Sequence, residues 1–443
     1  MKFIVVLAIA IAVSVINVDA RKNWALLIAG SAGYDNYRHQ ADICHAYQIV
    51  HKAGIPDEQI VVMMYDDIAD NTENPVKGNI INKPDGPNVY PGVLKDYTGK
   101  EVTAKTFLSV LQGDKDGIYN QLGRSGKVIN SGPDDYVFVY FADHGAPGIL
   151  GMPNPPYLKA RALNEALKKL HTDKKFAKLV FYVEACESGS VFDKLLPKDI
   201  NIYVTTAANP TESSYACYLD EKRGTYLGDV FSVKFLENID ASDIHTETLE
   251  AQFKKIKEET TTSHVQQYGD LAIDVLTVDT FIGDNKQVNQ SRSDFLIRPS
   301  SLPIKDAIPS EMVVLQSLKH RLAAAPANSL QKMELEKKLS QTLTTMKQTH
   351  KLIWDIARTV HSGLPENTVY DLSMKDHNEI NNWDCYETAV DTLLAFCPGL
   401  DITTNDFALR KLYALVNLCN NNPQDKVIRA VEAASVVNPL CLA

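Results

Sequence analysis

The chain has 443 residues and a globular composition, with 45% hydrophobic and 23% charged residues and a formal net charge of −10 at neutral pH. This length exceeds that of one ordinary domain, so we expect two. The negative charge argues against nucleic acid as a partner, because proteins that bind nucleic acid present an excess of Lys and Arg to the phosphates.

The N-terminus has the pattern of a targeting segment. Lys2 supplies a positive charge, residues 3–18 are almost purely apolar, and Val18-Asp19-Ala20 offers compact residues at the cleavage positions. The run is too short for a comfortable membrane span. We therefore predict a signal peptide over residues 1–20 rather than a membrane anchor, and a secretory route in which disulfides are allowed.

Strand and helix patterns alternate along the first half, which predicts βαβ units around a mixed, mostly parallel sheet flanked by helices. The predicted elements are a strand at 24–29, a helix at 42–53, a strand at 60–65, a loop at 71–98, a helix at 105–111, a helix at 160–170, a strand at 201–207 and a polar loop at 209–228.

Two further apolar runs each end in a reactive side chain. Residues 136–141 (Y-V-F-V-Y-F) lead into A-D-H-G, whose histidine is His144, and residues 179–183 (L-V-F-Y-V) lead into E-A-C-E-S-G, whose cysteine is Cys186. Short β-branched and aromatic runs are typical of strands buried on both faces of a parallel sheet. Ligands bind outside the carboxyl ends of such strands, so we expect His144 and Cys186 to meet at one edge.

His144 and Cys186 together indicate a thiol nucleophile with a base beside it. A glycine follows each residue within a few positions, and glycine permits a tight turn in which main-chain N–H groups face a developing oxyanion. Either residue alone is more often structural, since a buried Cys usually packs as a small hydrophobe. The pairing is what indicates catalysis.

The cysteines fall into two groups along the chain, three in the first half and four near the C-terminus. The last four cysteines crowd the final sixty residues without a C-x-x-C motif, which predicts two disulfides rather than a zinc site and leaves three pairings open. Of the other three, Cys186 is the best candidate for a working thiol, Cys44 has the context of a packed free thiol, and Cys217 is ambiguous. The seven cysteines are Cys44, Cys186, Cys217, Cys385, Cys397, Cys419 and Cys441.

The character of the chain changes after residue 283. Residues 284–310 are polar, contain three prolines and lack periodicity, which predicts a linker with an N-glycosylation acceptor at Asn289. Beyond the linker the pattern is helical. We predict a catalytic domain at 21–283, a linker or activation peptide at 284–328 and an all-α, disulfide-stapled domain at 329–443, with helices at 330–356, 385–396, 407–418 and 426–436.

Five motifs together resemble the legumain family of asparaginyl endopeptidases, and the resemblance extends along the whole chain. It implies a caspase-like fold and a cysteine endopeptidase made as a zymogen, which uses no cofactor and no metal. Caspases are more distant relatives. The motifs are N-Y-R-H-Q-A-D at 36–42, D-H-G at 143–145, E-A-C-E-S-G at 184–189, T-T-A-A-N-P at 205–210 and Y-L-G-D at 226–229.

The resemblance implies a role for each matching residue. Cys186 is the expected nucleophile and His144 the base, while Asn36 orients the imidazole. The N–H groups of Gly145 and Cys186 form the expected oxyanion hole. Asp143 matches a family aspartate that cyclises to a succinimide. The residues expected to line the primary specificity pocket are Arg38, His39, Glu184, Ser214 and Asp229.

The chemistry of this pocket suits a carboxamide, which offers both a donor NH₂ and an acceptor C=O. Arg38 donates to the carbonyl oxygen, and Glu184 or Asp229 accepts from the amide. A substrate aspartate meets the same carboxylates and is repelled until acid protonates substrate or pocket. The alternative for Arg38 and Asp229 is an ordinary ion pair.

The resemblance also concerns processing and partners. It implies the disulfides Cys385–Cys419 and Cys397–Cys441, and a C-terminal domain that inhibits the enzyme until acid releases it. Asn328, in the exposed-looking run 323–329, is our candidate for self-cleavage; the alternative is that it only starts a helix. We expect protein and peptide substrates, cystatin-type inhibitors, and a location in the secretory pathway: a lysosome or acidic vesicle, a gut lumen or outside the cell.

Two alternative functions fit parts of this sequence. A peptide ligase or transpeptidase of the same fold stays open, because small changes near the pocket separate ligases from proteases. A catalytically dead binding protein or inhibitor is disfavoured, because Cys186, His144 and Asn36 are all intact.

Overall fold

The computed structural model describes residues 21–283, 304–400 and 405–442. The predicted signal peptide at 1–20 and the glycosylation acceptor Asn289 lie outside the described residues. Within those ranges, no helix combines the length and the apolar character needed to cross a bilayer.

A six-stranded sheet lies at the centre of the first half. Its strand order is β11-β8-β7-β3-β1-β2, and all neighbours pair in parallel except β11, which is antiparallel to β8. The strands of the described chain are β1 (Asn23–Ala29), β2 (Ile60–Met63), β3 (Tyr136–Ala142), β4 (Gly145–Ala146), β5 (Ile149–Leu150), β6 (Leu158–Lys159), β7 (Lys178–Glu184), β8 (Ile202–Thr206), β9 (Tyr215–Asp220), β10 (Thr225–Asp229), β11 (Gln266–Gly269) and β12 (Ile308–Pro309).

Helices cover both faces of the sheet, and further helices form the C-terminal region. Those described are α1 (Tyr37–Lys52), α2 (Ala104–Leu111), α3 (Lys115–Leu122), α4 (Ala160–Thr172), α5 (Val230–Ala241), α6 (Leu249–Glu259), α7 (Asp279–Ile282), α8 (Val313–Ala324), α9 (Leu330–Val360), α10 (Glu366–Ser373), α11 (Trp383–Phe396), α12 (Asp406–Lys411), α13 (Tyr413–Asn421) and α14 (Gln424–Ser435).

Burial on both faces explains why the central strands lack polar alternation. In β1, Ala25, Leu27 and Ala29 belong to one apolar core, whereas Leu26 and Ile28 belong to the core on the opposite face. Helices α1, α5 and α6 contribute to the first core, and α2, α3 and α4 to the second. The predicted fold class, a mostly parallel sheet flanked by helices and followed by a helical region with two disulfides, is confirmed.

The polar loop predicted at residues 209–228 is wrong over most of its length. Strands β9 and β10 form an antiparallel hairpin there, and β12 pairs with the other edge of β9. The polar residues at 209–214 and at the 221–224 turn dominate the composition of the window. They mask two short strands whose apolar residues, such as Cys217 and Leu227, are buried in the core.

The C-terminal region is helical and is stapled by two disulfides. Cys385–Cys419 joins α11 to α13, and Cys397–Cys441 joins the end of α11 to the C-terminal turn. Cys44, Cys186 and Cys217 are free and buried. Within the predicted linker, residues 304–328 form β12 and α8, and α8 packs against both α9 and β10. This segment is therefore part of the fold.

Candidate active site

Strands β3 and β7 bring His144 and Cys186 to the same edge of the sheet. The two strands are parallel neighbours, and their register ends with Ala142 opposite Glu184. His144 and Cys186 each follow two residues later, and both are buried. The chain therefore delivers a thiol and an imidazole to the carboxyl edge where parallel sheets bind ligands.

Asn36 fixes the tautomer of His144. The Nδ2 group of Asn36 donates to the carbonyl of Ala32 at 2.9 Å, so its Oδ1 is the atom that faces His144 Nε2, also at 2.9 Å. An amide oxygen only accepts, so Nε2 carries a proton. The lone pair of a neutral ring then lies on Nδ1. Burial, and then the charge of Arg38, hold the pKa of His144 well below its ordinary value.

The Cys186 thiol is protonated in this state. Its Sγ accepts a hydrogen bond from the N–H of Ser214 at 3.3 Å and lies 3.7 Å from the Ser214 hydroxyl. Burial, and then the charge of Glu311, raise the pKa of Cys186 to about 12, against the opposing charge of Arg410. Because the thiolate is the nucleophile, such a thiol is latent.

Gly145 is the residue that the local geometry requires. A Cβ at this position would lie 2.0 Å from the carbonyl oxygen of Cys186. Any side chain here would therefore push apart the two main-chain segments that are expected to form the oxyanion hole.

Three pocket residues each use one polar atom for structure and leave another without a partner. Arg38 Nε donates to Asp229 Oδ1 at 2.8 Å, and Glu184 Oε2 accepts from the N–H and hydroxyl of Ser232, both at 2.9 Å. Among the described residues, Arg38 Nη2, Glu184 Oε1 and Asp229 Oδ2 have no hydrogen-bond partner although all three are buried. The predicted ion pair is present, yet one donor and two acceptors remain.

His39 and Ser214 connect this pocket to the catalytic pair. The ring of His39 packs edge-on against His144, with 4.6 Å between centroids, and its Nε2 lies 3.5 Å from Asp229 Oδ2. Its Nδ1 lies 2.6 Å from the hydroxyl of Ser31. Ser214 contacts Cys186 as described above. The structure thus brings all nine predicted catalytic and pocket residues into one buried group.

Asp143 lies beside His144, and its Oδ1 is 3.5 Å from His39 Nδ1. Neither of its carboxyl oxygens makes a hydrogen bond to the described residues, and burial raises its pKa well above the ordinary value. Gly30 and Gly151 make room for it, since a Cβ on either would lie 2.4 Å from Asp143 Oδ2.

One group of side chains in the described ranges has the composition of a metal site. His39, Asp143 and His144 place ligand atoms within 4.8 Å of one another. His39 Nδ1 and His144 Nε2 already engage Ser31 and Asn36. A metal there would have to replace both hydrogen bonds.

Residues that sequence reasoning missed cover the catalytic pair. Strand β12 pairs with β9, and the N–H of Ser310 then donates to the carbonyl of Ser214 at 3.0 Å. Glu311 accepts from the hydroxyl of Ser213 at 3.0 Å. Nothing in the polar sequence before α8 marked Ser310 and Glu311 as functional. The strand that leads into them, β12, is only two residues long.

Helix α12 supplies the rest of the covering, and we call β12 and α12 together the cap. Asp406 Oδ1 lies 3.1 Å from His144 Nδ1, and burial raises the pKa of Asp406 to about 7. One turn later, Arg410 forms an ion pair with the buried Glu187, the residue after Cys186. The only signal in the sequence was the i, i+4 spacing of Asp406 and Arg410 on one helix face.

Charge pairs fasten the rest of the C-terminal region to the catalytic domain. One group of pairs joins basic residues of the catalytic domain to acidic residues of the C-terminal region. A second group joins acidic residues of the catalytic domain to basic residues that follow it in the chain. The pairs are Lys159–Asp391, Arg161–Asp384, Arg161–Glu387, Lys194–Glu379, Arg321–Asp35, Arg321–Glu73 and Lys338–Glu73.

A thiol beside an amide-oriented imidazole at the edge of a parallel sheet, covered by a C-terminal helical domain, defines a cysteine peptidase with a prodomain. Residues 23–284 match the model of the Peptidase C13 family, and residues 337–435 match that of the legumain prodomain. The chain belongs to the Peptidase C13 family and is a cysteine-type endopeptidase.

Similar proteins support this assignment over nearly the full length. The chain is 46% identical to legumain from Bos taurus, with 92% of each chain covered, and 43% identical to legumain from Homo sapiens, with 94% of each covered. It is 40% identical to the vacuolar-processing enzyme of Vicia sativa, covering 94% of this chain and 87% of that protein.

Proposed function

We propose that this protein is an asparaginyl endopeptidase, made as a zymogen, that cleaves peptide bonds after Asn and, at lower pH, after Asp. The observation that supports this best is the set of unpartnered atoms in the pocket. Arg38 Nη2 suits the side-chain carbonyl of Asn, and Glu184 Oε1 and Asp229 Oδ2 suit its NH₂ group. We place it in an acidic compartment of the secretory pathway.

The proposed reaction uses the catalytic pair in two steps. His144 Nδ1 takes the proton of Cys186, and the thiolate attacks the carbonyl carbon of the scissile bond. The resulting oxyanion lies at the N–H groups of Gly145 and Cys186. His144 then protonates the leaving amine, the C–N bond breaks, and the acyl group stays on Cys186 as a thioester. Water attacks this thioester with the same imidazole as base, and the Cys186 sulfur leaves and takes the proton back from His144.

We expect strict preference for Asn over Asp near pH 6. A substrate carboxylate would meet Asp229 and Glu184 in a buried pocket, and an uncompensated buried charge costs about 3–5 kcal/mol. The kcat/KM for Asp should therefore be about 10²-fold or more below that for Asn. Burial, and then the charge of Asp229, raise the pKa of Glu184 well above its ordinary value, so acid adds a proton that reduces this repulsion.

Two fluorogenic peptides that differ only in Asn or Asp before the scissile bond test this preference at pH 6 and pH 4.5. The ratio of their kcat/KM values should fall towards one as the pH drops. Equal cleavage of the two peptides at pH 6 would contradict the pocket assignment.

The cap and the prodomain are proposed to keep the zymogen inactive. Asp406 Oδ1 lies 3.1 Å from the Nδ1 atom that must receive the thiol proton, so it occupies the space beside that atom, and β12 lies along the edge of β9 next to Ser214. An added strand on a sheet edge is one way in which peptides bind proteins. Residues 304–328 stay attached to the catalytic domain after cleavage at Asn328, so release of β12 is a separate step from release of the prodomain.

Acid release depends on groups whose pKa is lowered by docking. Burial raises the pKa of Glu73, but Lys338 and Arg321 outweigh it and hold the pKa below 4.5. The stability from these pairs is therefore full above pH 4.5 and is lost as the pH falls through the lowered pKa. The ring of His377 stacks on Tyr413, and burial lowers the pKa of His377 from its ordinary value of 6.5. The stability that neutral His377 contributes to docking is full above pH 6.5 and is lost as the pH falls through the lowered pKa.

The pKa of Asp406 is shifted in the opposite direction, so the carboxylates do not all respond to acid in the same way. Its pKa is raised from 3.8 to about 7 by burial. The stability that it contributes to docking is full below pH 3.8 and is lost as the pH rises through about 7. Acid therefore has to act through His377 and through the pairs that Glu73 makes with Lys338 and Arg321.

Self-cleavage at Asn328 is the expected first event after acidification. Asn328 is exposed in the turn between α8 and α9, with φ of 61°. It does not cap the helix, because Ser329 does so through its hydroxyl, which accepts from the N–H of Lys332 at 3.1 Å. The zymogen held below pH 6 should give a new C-terminus at Asn328 by mass spectrometry, and Cys186→Ser should remain whole. Equal processing of the two proteins would refute self-activation.

A further inference from the structure

Helix α1 carries more buried polar residues than the proposed function uses. Arg38, Asp42 and His45 are spaced i, i+4 and i+7, so they lie on one face of the helix, which packs against β10. Arg38 belongs to the pocket. Asp42 and His45 are also buried, at 0% and 3% exposure. Burying such groups is unfavourable unless they are hydrogen-bonded, so their partners matter.

A chain of hydrogen bonds joins these residues to the long loop before α2. His45 Nε2 lies 2.9 Å from Asp240 Oδ2, and His45 Nδ1 lies 2.8 Å from Asn82 Oδ1. Asn82 Nδ2 donates to Asp42 Oδ1 at 2.6 Å and to the carbonyl of Leu227 at 3.0 Å. The two acceptors fix the orientation of the Asn82 amide, so Asn82 Oδ1 must accept a hydrogen bond from His45 Nδ1–H.

Asp42 and Asn82 together hold the end of β10 on both sides of Gly228. Asn82 binds the carbonyl of Leu227, and the N–H of Asp229 donates to Asp42 Oδ2 at 3.3 Å. The fit is close. A Cβ at Gly228 would lie 3.0 Å from Asn82 Nδ2 and 3.2 Å from Asp42 Oδ1. The backbone that carries Asp229 into the pocket is therefore clamped on these two side chains.

The charges around Asp42 favour its neutral form. Burial, and then the charge of Asp229, raise the pKa of Asp42 well above its ordinary value. A neutral carboxyl can hold Asp229 in place without competing with it for Arg38. The titratable groups around Asp42 are Arg38 and His45 on α1, Tyr140 on β3, Glu184 on β7, Cys217 on β9 and Asp229 on β10.

We propose that Asp42 and Asn82 are positioning residues for the specificity pocket. They hold Asp229 so that its Oδ1 stays on Arg38 and its Oδ2 is left for the substrate amide. The inference rests on the proposed asparaginyl specificity, because the role that it gives Asp42 and Asn82 is limited to recognition of the side chain before the scissile bond.

Asp42→Asn and Asn82→Ala test this role in the acid-activated full-length protein. We expect kcat/KM for an Asn peptide to fall by about 10- to 100-fold, mainly through KM, and the preference for Asn over Asp to shrink. One lost buried hydrogen bond corresponds to this range. Alkylation of Cys186 by iodoacetamide should stay within about twofold of wild type, because neither residue contacts the catalytic pair.

Asn88→Ala is the matched control. Asn88 lies on the same loop, and its side chain also binds main-chain groups, at Ile80 and Gly78, without reaching β10. It should leave the preference unchanged. If Asp42→Asn fails to fold, Asn82→Ala decides, since it leaves the sequence of α1 unchanged.

Two outcomes would overturn the role of Asp42 and Asn82. One is an unchanged Asn preference in folded Asn82→Ala; the other is an equal change in Asn88→Ala. A wild-type enzyme that does not cleave after Asn would instead contradict the proposed function. The two failures are therefore distinguishable.

Discussion

Cys186→Ser is expected to lower peptide cleavage by at least about 10³-fold and to leave the fold intact. A hydroxyl is a far weaker nucleophile than a thiol near neutral or acid pH, and removal of one member of such a pair typically costs this much. A hydroxyl is smaller than a thiol and fits the same space without a clash, and the N–H of Ser214 still faces it. Initial rates on an Asn peptide, together with thermal unfolding, measure both effects.

Cys44→Ala is the control for Cys186→Ser. Cys44 is also a free, fully buried thiol, but it packs in the core from α1. Its loss should change activity by no more than about twofold. Residual turnover of Cys186→Ser above a few per cent would count against Cys186 as the nucleophile.

Arg410→Ala is expected to release the cap at neutral pH. It leaves the buried Glu187 without its ion-pair partner, and breaking a buried pair from one side costs about 3–5 kcal/mol. The open state of the cap should therefore become at least about 10²-fold more populated. Alkylation of Cys186 by iodoacetamide in the zymogen at pH 7, read by mass spectrometry, should accelerate by a similar factor.

Arg429→Ala provides the comparison for Arg410→Ala. Arg429 is exposed on α14 and, within the described residues, forms its ion pair with Asp425, four residues earlier on the same helix. Surface pairs of this kind contribute little, so alkylation should match wild type. A zymogen with Arg410→Ala that protects Cys186 as well as wild type does would show that α12 does not hold the cap closed.

The meeting of His144 and Cys186 at one edge of the sheet could be predicted because its signal is local. Runs of apolar residues such as those in β3 and β7 have few alternatives to buried parallel strands, and His144 and Cys186 follow them directly. Parallel pairing then brings both residues to one edge, whatever the rest of the chain does. The pocket residues, by contrast, come from separate elements. Arg38 and Asp229 needed the family resemblance to be recognised together.

The cap could not be predicted because it depends on docking between distant segments. Strand β12 has two residues and exists only because β9 offers an edge, while α12 is a six-residue helix whose partners lie more than two hundred residues away. The sequence pattern over 407–418 predicted a helix there, but not the surface that this helix covers. Asn82 is a similar case, because its loop has a surface composition yet sends one polar side chain beneath the pocket.

The cleavage specificity of the acid-activated protein is the most direct test of the central claim. A peptide library, digested at pH 6 with and without an added amine nucleophile, gives the residue before each cut bond and the fate of the acyl group by mass spectrometry. We predict hydrolysed products that end in Asn. Products that end in other residues, or products in which the amine has replaced water in most cases, would contradict an asparaginyl endopeptidase.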